Sequence, residues 1–175
     1  NKIVGEFEHK GIKYQELAKR KYMIAAGLEQ AVAFVLNASN DISFTRYLGE
    51  TLGWNDKNFI DWAFNLKFGG DIYAMKEGTP FFSYQPLMKI REKFEEAQIF
   101  ESIILSLLSR ESQVATSAND MSSQAMSKIF LEGASRRGCG PEDSLRVARA
   151  SLIGGFQFSS FVKFGEHYNV VVGGT

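Results

Sequence analysis

The sequence predicts an α+β chain in two parts: a helix- and strand-containing first part closed by one long helix, then the first units of a βα-alternating architecture. Three observations predict this. Glu95 to Asp120 runs without Gly or Pro and carries apolar residues at helical spacing. The residues before it pass from helical periodicity to short strand-like runs bounded by turn residues. The residues after it alternate short apolar runs with helix-like segments, the pattern of a largely parallel sheet or barrel. Too few such units fit in the last third to close a barrel, so that part is expected to be truncated.

Lys21 to Asn37 reads as a helix, with Met23, Leu28, Val32 and Val35 at helical spacings and Gly27 tolerated at a cost. Asp41 is placed to cap a second short helix carrying Phe44, Tyr47 and Leu48. Asn55 or Asp56 is placed to start a third, with Phe59, Trp62, Phe64 and Leu66. Gly70 to Met75 is a strand, and Glu77-Gly78-Thr79-Pro80 is a turn. Phe81 to Tyr84 and Leu87 to Ile90 are further strands, with Pro86 marking an edge or bend between them. On the long helix, Ile99, Ile103, Leu107 and Leu108 share a face that Phe100 and Ile104 widen. Lys128 to Leu131 is a short strand running into Gly133-Ala134-Ser135-Arg136-Arg137. Pro141-Glu142-Asp143 opens a helix through Ile153, with Pro at an early position and acids at the positive dipole end. Ser159-Ser160 starts another to about Tyr168, and Asn169 to Gly173 is a strand ending at Thr175.

Composition narrows the function. Twenty Lys and Arg balance 20 Asp and Glu, so no broad basic surface suggests nucleic acid. Cys139 is the single cysteine, which excludes an intramolecular disulfide framework and a Cys-rich zinc site. His9 and His167 form no ligand pair at helical spacing, so no metal site is expected. No apolar run approaches the roughly 20 residues that span a bilayer. The start has no signal-peptide shape, and a reducing cytoplasmic home is the simplest reading.

Candidate chemistry sits where βα architectures place it, at the carboxyl ends of strands and in the loops beyond them. Arg136 and Arg137 come after one predicted strand and Thr175 after another, while Ser159 and Ser160 stand where a loop meets a helix N-terminus. Adjacent arginines bind carboxylate, phosphate or pyrophosphate through forked hydrogen bonds, though a solvated pair or an internal salt bridge is the plain alternative. Cys139 is expected to pack, the carboxylates Glu95, Glu96 and Glu101 to form a solvated face, and the Phe stripe from Phe59 to Phe68 to be core. Gly154-Gly155 lacks the Lys and Ser/Thr of a P-loop.

Leu131-Glu132-Gly133-Ala134-Ser135-Arg136-Arg137-Gly138-Cys139-Gly140-Pro141 is similar to the FG[LT]RRAQGP motif of nicotinate phosphoribosyltransferases. Ala148 to Phe156 resembles that family's SRAAYLGGF stretch, and Val172-Gly173-Gly174-Thr175 resembles the segment preceding Ala-His-Ser. Upstream, Ala25 to Glu29, Ala74 to Gly78, Glu96 to Glu101 and Gln113 to Thr116 resemble further family segments in the same order. The likeness runs from about Ala25 to Thr175.

The resemblance implies an α+β N-terminal domain, residues 1–125, then the first βα units of an incomplete α/β barrel, residues 126–175. It implies transfer of a phosphoribosyl group to nicotinate, forming nicotinate mononucleotide and pyrophosphate in NAD biosynthesis. It further implies ATP coupling through a phosphohistidine, a need for Mg2+, and an active site shared in a homodimer. Arg136 matches the first arginine of the motif, expected to act in catalysis by facing substrate anions, and Arg137 matches the second. Ser160 matches the position against the pyridine substituent, where an acid would repel nicotinate's carboxylate, and Thr175 matches a threonine that contacts nicotinate. Gly133 stands where the family has a Phe, and Phe161 where it has an Asn after the paired Ser/Thr. The chain alone is expected to be inactive. The alternatives are a divergent non-catalytic homologue acting as a binding or interaction protein, or a phosphoribosyltransferase using nicotinamide or quinolinate.

Overall fold

The computed structural model describes residues 3–9, 12–17, 22–38, 42–125 and 128–174. Strands β1, Ile3–His9, and β2, Ile12–Leu17, pair antiparallel with His9 opposite Ile12. Strand β3, Met23–Ile24, precedes helix α1, Leu28–Leu36. The helix expected from residue 21 therefore begins seven residues later. Gly27 ends the extended stretch with φ of 86°, and a Cβ there would lie 2.8 Å from the Leu107 carbonyl oxygen. Only glycine permits both that backbone and that approach.

Helix α2, Ile42–Arg46, continues into a π-helical turn, Tyr47–Thr51. Asp41, the expected cap, lies outside the described residues. Helix α3, Lys57–Phe64, starts as its capping residue requires: Asp56 accepts a 2.8 Å hydrogen bond from the Phe59 amide. Its aromatic residues are only partly core. Phe64 is exposed, and Phe59 and Trp62 line an apolar cavity of about 320 Å³ with Phe44, Leu48 and Trp54.

Strand β4, Asp71–Ala74, pairs antiparallel with β6, Met88–Arg91, while β5, Pro80–Phe81, pairs antiparallel with β3. The expected strand through Tyr84 stops early, because Tyr84 takes a positive φ of 67°.

Helix α4, Phe94–Gln124, is the axis of the molecule. It buries Phe100, Ile104, Leu108, Ser112, Ala115 and Thr116, a stripe at helical spacing. The expected face is rotated: Ile99 is 47% exposed and Ile103 44%. Glu96, expected in the solvated face, is buried and pairs with Lys93 at 3.5 Å. Around Phe100 gather Ala25, Leu28, Ala31, Val35, Leu66, Ile104 and Leu108, with Phe34 and Phe68 edge-on to its ring. Further along, hydroxyls of α4 complete the extended chain before α1. The Ile24 amide donates to Thr116 Oγ1 at 2.9 Å, and the Ala26 amide to Ser112 Oγ at 3.2 Å. Buried amides need such partners. They explain why residues 22–26 are extended rather than helical.

Strand β7, Leu131–Glu132, begins later than expected and leads into a 3-10 turn, Ala134–Arg137. Helix α5, Pro141–Ile153, matches its expected bounds. Strand β8, Phe158–Ser159, pairs parallel with β7, and Ser159 makes a parallel bridge to Val172. The last strand expected, Asn169 to Gly173, reduces to that bridge, because Asn169 ends helix α6, Val162–Tyr168, in a left-handed conformation. Parallel pairing across an intervening helix is the βα arrangement expected from the alternation. Ile129, Leu131, Val162 and Val171 stand exposed beside this small sheet. Among the described residues, no helix is long and apolar enough to cross a membrane.

Candidate functional site

The parallel strands bring the sequence-predicted residues to one edge. Leu131 pairs with Phe158, Glu132 with Ser159, and Ser159 with Val172. This register places three segments side by side at the strand ends: the Gly133–Arg137 turn, Ser160-Phe161, and Gly173-Gly174. Because side chains alternate along a strand, the two faces differ. Glu132 and Ser159 are turned inward, at 3% and 0% exposure. Leu131, Gly133 and Ser160 are exposed. A Cβ on Gly133 would lie 3.9 Å from Ser160 Oγ, and one on Gly174 would lie 3.2 Å from Ser160 Cβ. Ser160 thus stands exposed between two glycines.

The sequence groups Ser159 with Ser160, and the structure separates them. Ser159 ends a strand with its hydroxyl bonded to the Glu132 carboxylate at 2.7 Å. Neither serine starts a helix, since α6 begins at Val162 after Phe161. Thr175 lies outside the described residues.

Arg136 and Arg137 sit in the 3-10 turn, both exposed. The loop behind them is fixed by Asp143, in the first turn of α5. Its carboxylate accepts from the Cys139 amide at 2.9 Å and from Arg110 at 3.3 Å. The Cys139 amide holds Asp143 below the usual carboxylate range, against burial and with help from Arg110. Gly138 passes so close to α5 that a Cβ would meet Ser144 Oγ at 2.5 Å. Cys139 itself is exposed rather than packed.

A cavity of about 320 Å³ lies where α4, α5 and the end of β7 meet, lined by Arg110, Gln113, Ser117, Glu132, Gly133 and Ser151, among others. Arg110, not the predicted pair, is the guanidinium in its lining. The exposed arginines instead reach solvent at the strand edge, where forked donors can take up an anion.

Sequence reasoning missed the clasp that holds the two parts together. Arg149 of α5 grips Glu77 with two hydrogen bonds, at 3.1 and 2.6 Å, and also pairs with Glu29. Glu77 Oε1 in turn accepts from the Leu28 amide at 2.9 Å, at the start of α1. Burial pushes the Glu77 carboxyl up, but Arg149 and the Leu28 and Glu29 amides together bring it below its ordinary value. Glu132 was missed too, although an acid in an apolar strand was a readable signal. Among the described residues, no group of three or more His, Cys, Asp or Glu gathers to hold a metal ion.

Comparisons with known proteins identify the family. The family model described as the nicotinate phosphoribosyltransferase N-terminal domain matches residues 10–109. The chain is 34% identical over 154 residues to nicotinate phosphoribosyltransferase of Bacillus subtilis (strain 168), covering 88% of this chain and 31% of that protein. It is 31% identical over 160 residues to nicotinate phosphoribosyltransferase 1 of Arabidopsis thaliana, covering 89% of this chain and 28% of that one. A crystal structure of human nicotinic acid phosphoribosyltransferase superposes with a TM-score of 0.82 at 30% identity, over 89% of this chain and 32% of the human one. The chain thus spans about a third of the length of the relatives it matches. With more than half of its residues inside the family model and its fold shared with a solved member, the chain belongs to the nicotinate phosphoribosyltransferase family and corresponds to the N-terminal portion.

Proposed function

We propose that the full-length protein transfers the phosphoribosyl group of phosphoribosyl pyrophosphate to nicotinate, and that this chain supplies the pyridine end of the site. The carrying observation is Ser160, exposed between Gly133 and Gly174 at one edge of three parallel strand ends, with Arg136 and Arg137 on the adjoining turn. Transfer requires the pyridine nitrogen to be held facing the ribose C1 as pyrophosphate leaves. A neutral hydroxyl beside the ring tolerates nicotinate's carboxylate, and a guanidinium offers it or the departing anion charge-assisted hydrogen bonds. In this reading residues 1–125 form the N-terminal domain and residues 126–175 begin an α/β barrel. The magnesium and ATP of the reaction would be held by other parts of the full-length protein, which would work in the cytoplasm as a homodimer sharing its sites.

The test is a phosphoribosyl-transfer assay on the full-length protein, comparing nicotinate with nicotinamide, with and without ATP. Nicotinate is expected to be turned over in preference. Arg136→Ala should lower kcat/KM at least about tenfold, close to 1.4 kcal/mol of transition-state stabilisation. Unchanged turnover in a folded Arg136→Ala protein would remove that arginine from the site.

A second reading is favoured by one feature. Gly133 has neither a positive φ nor a close contact that would demand glycine, so the ring-bearing residue of the family motif has been given up without a backbone reason. A non-catalytic homologue acting as a binding or interaction protein would show no phosphoribosyl transfer in the same assay.

A further inference from the structure

Ser160 is tied to a single buried acid from both of its flanks. On one side, the Ser160 amide donates to the Glu132 carbonyl oxygen at 2.8 Å. On the other, the Phe161 amide donates to Ser159 Oγ at 3.1 Å, and the Ser159 hydroxyl donates to Glu132 Oε2 at 2.7 Å. The Gly173 amide adds the third strand by donating to the Ser159 carbonyl oxygen at 3.0 Å. A hydroxyl has one proton to give, and here Glu132 Oε2 is the oxygen that receives it. The Ser159 lone pairs are then free to receive the Phe161 amide. With Glu132 and Ser159 shielded from water, the hydroxyl has no solvent to turn to instead.

We propose that Glu132, acting through Ser159, is the positioning residue for Ser160 and so governs recognition of the pyridine carboxylate. The proposal rests on the nicotinate reading of the site. Glu132 touches no substrate in this scheme. It sets the two peptide units around the one serine that does, and the site's fit to nicotinate should depend on it while the phosphoribosyl pyrophosphate end should not.

The experiment uses the full-length protein as wild type, Glu132→Ala, Glu132→Gln and Ser159→Ala, each checked for folding by circular dichroism and thermal melting. Glu132→Ala and Ser159→Ala should each raise KM for nicotinate about tenfold while leaving KM for phosphoribosyl pyrophosphate within about twofold. Glu132→Gln, whose amide oxygen still accepts the Ser159 proton, should recover most of the loss. Hydrogen exchange over residues 158–164 should quicken in Glu132→Ala and Ser159→Ala and stay near wild type in Glu132→Gln. An equal rise in both KM values, or unchanged exchange in Glu132→Ala, overturns the proposal. If Glu132→Ala does not fold, Ser159→Ala decides by the same criteria. A wild-type protein inert towards nicotinate removes the functional reading instead, and the exchange measurement still decides whether Glu132 orders the Ser160 segment.

Discussion

The two halves of α4 are built on opposite principles. The first half buries Phe100, Ile104 and Leu108 against α1 and the strands, and its contribution is apolar area. The second half buries Glu111, Ser112, Ala115, Thr116 and Ala118, small or polar residues that let α5 and the extended chain come close. Gly154 approaches the Ala115 carbonyl there, and Ser122 Oγ donates to the Gly154 carbonyl oxygen at 2.9 Å. A core of large side chains supplies stability with some tolerance in placement, whereas small residues and specific hydrogen bonds fix distances. The strand ends bearing Arg136 and Ser160 are attached to the second kind of surface, as a site requiring geometry needs.

Substitutions on the two halves can break or sharpen that contrast. Phe100→Ala should cost the most, about 3–5 kcal/mol in denaturant unfolding, because it empties the centre of the apolar cluster. A loss near 1 kcal/mol would mean that the first half is not the main store of stability. Thr116→Val keeps shape but strands the Ile24 amide, and should cost about 1–3 kcal/mol. It should also loosen residues 22–26 in hydrogen exchange, an effect not expected from Phe100→Ala at equal destabilisation.

The smallest effect has the opposite sign. Glu111 is 1% exposed, neither carboxylate oxygen has a hydrogen-bond partner among the described residues, and burial pushes its carboxyl up to about 7 despite Arg149 and Arg146. Glu77 and Asp143 face it as well and push the same way as burial. A folded carboxyl above its unfolded value binds protons that the unfolded chain has already released. Wild-type stability should therefore fall as pH rises from about 4.5 to 7. Glu111→Gln should flatten that slope and gain about 1–2 kcal/mol at pH 8, the gain limited by the amide's own unmet hydrogen bonds. An unchanged pH profile would show that Glu111 is not the group responsible.

Whether an element is legible in the sequence depends on where its partners lie. Helix α5 is readable to the residue because Pro141 and the acids after it act within one turn. Asp56 likewise announces α3 locally. The break at Gly27 is not readable, since what holds residues 22–26 extended is a pair of hydroxyls some 90 residues away. The buried face of α4 differs from the expected one because Ile99 and Leu108 look alike in sequence and only the packing partner chooses between them. The strand-end rule locates Arg136, Arg137 and Ser160. It does not divide Ser159 from Ser160, because that depends on the register of β8 against β7.

The clasp between Arg149 and its acids has a consequence for synthesis. Its members lie 72 and 120 residues apart in the chain. At roughly 5–20 residues per second, Glu29 is synthesised on the order of 6–24 s before Arg149. Through that interval the start of α1 lacks the guanidinium that gathers its carboxylates. The N-terminal segments can form nascent structure early, yet their final docking waits for α5.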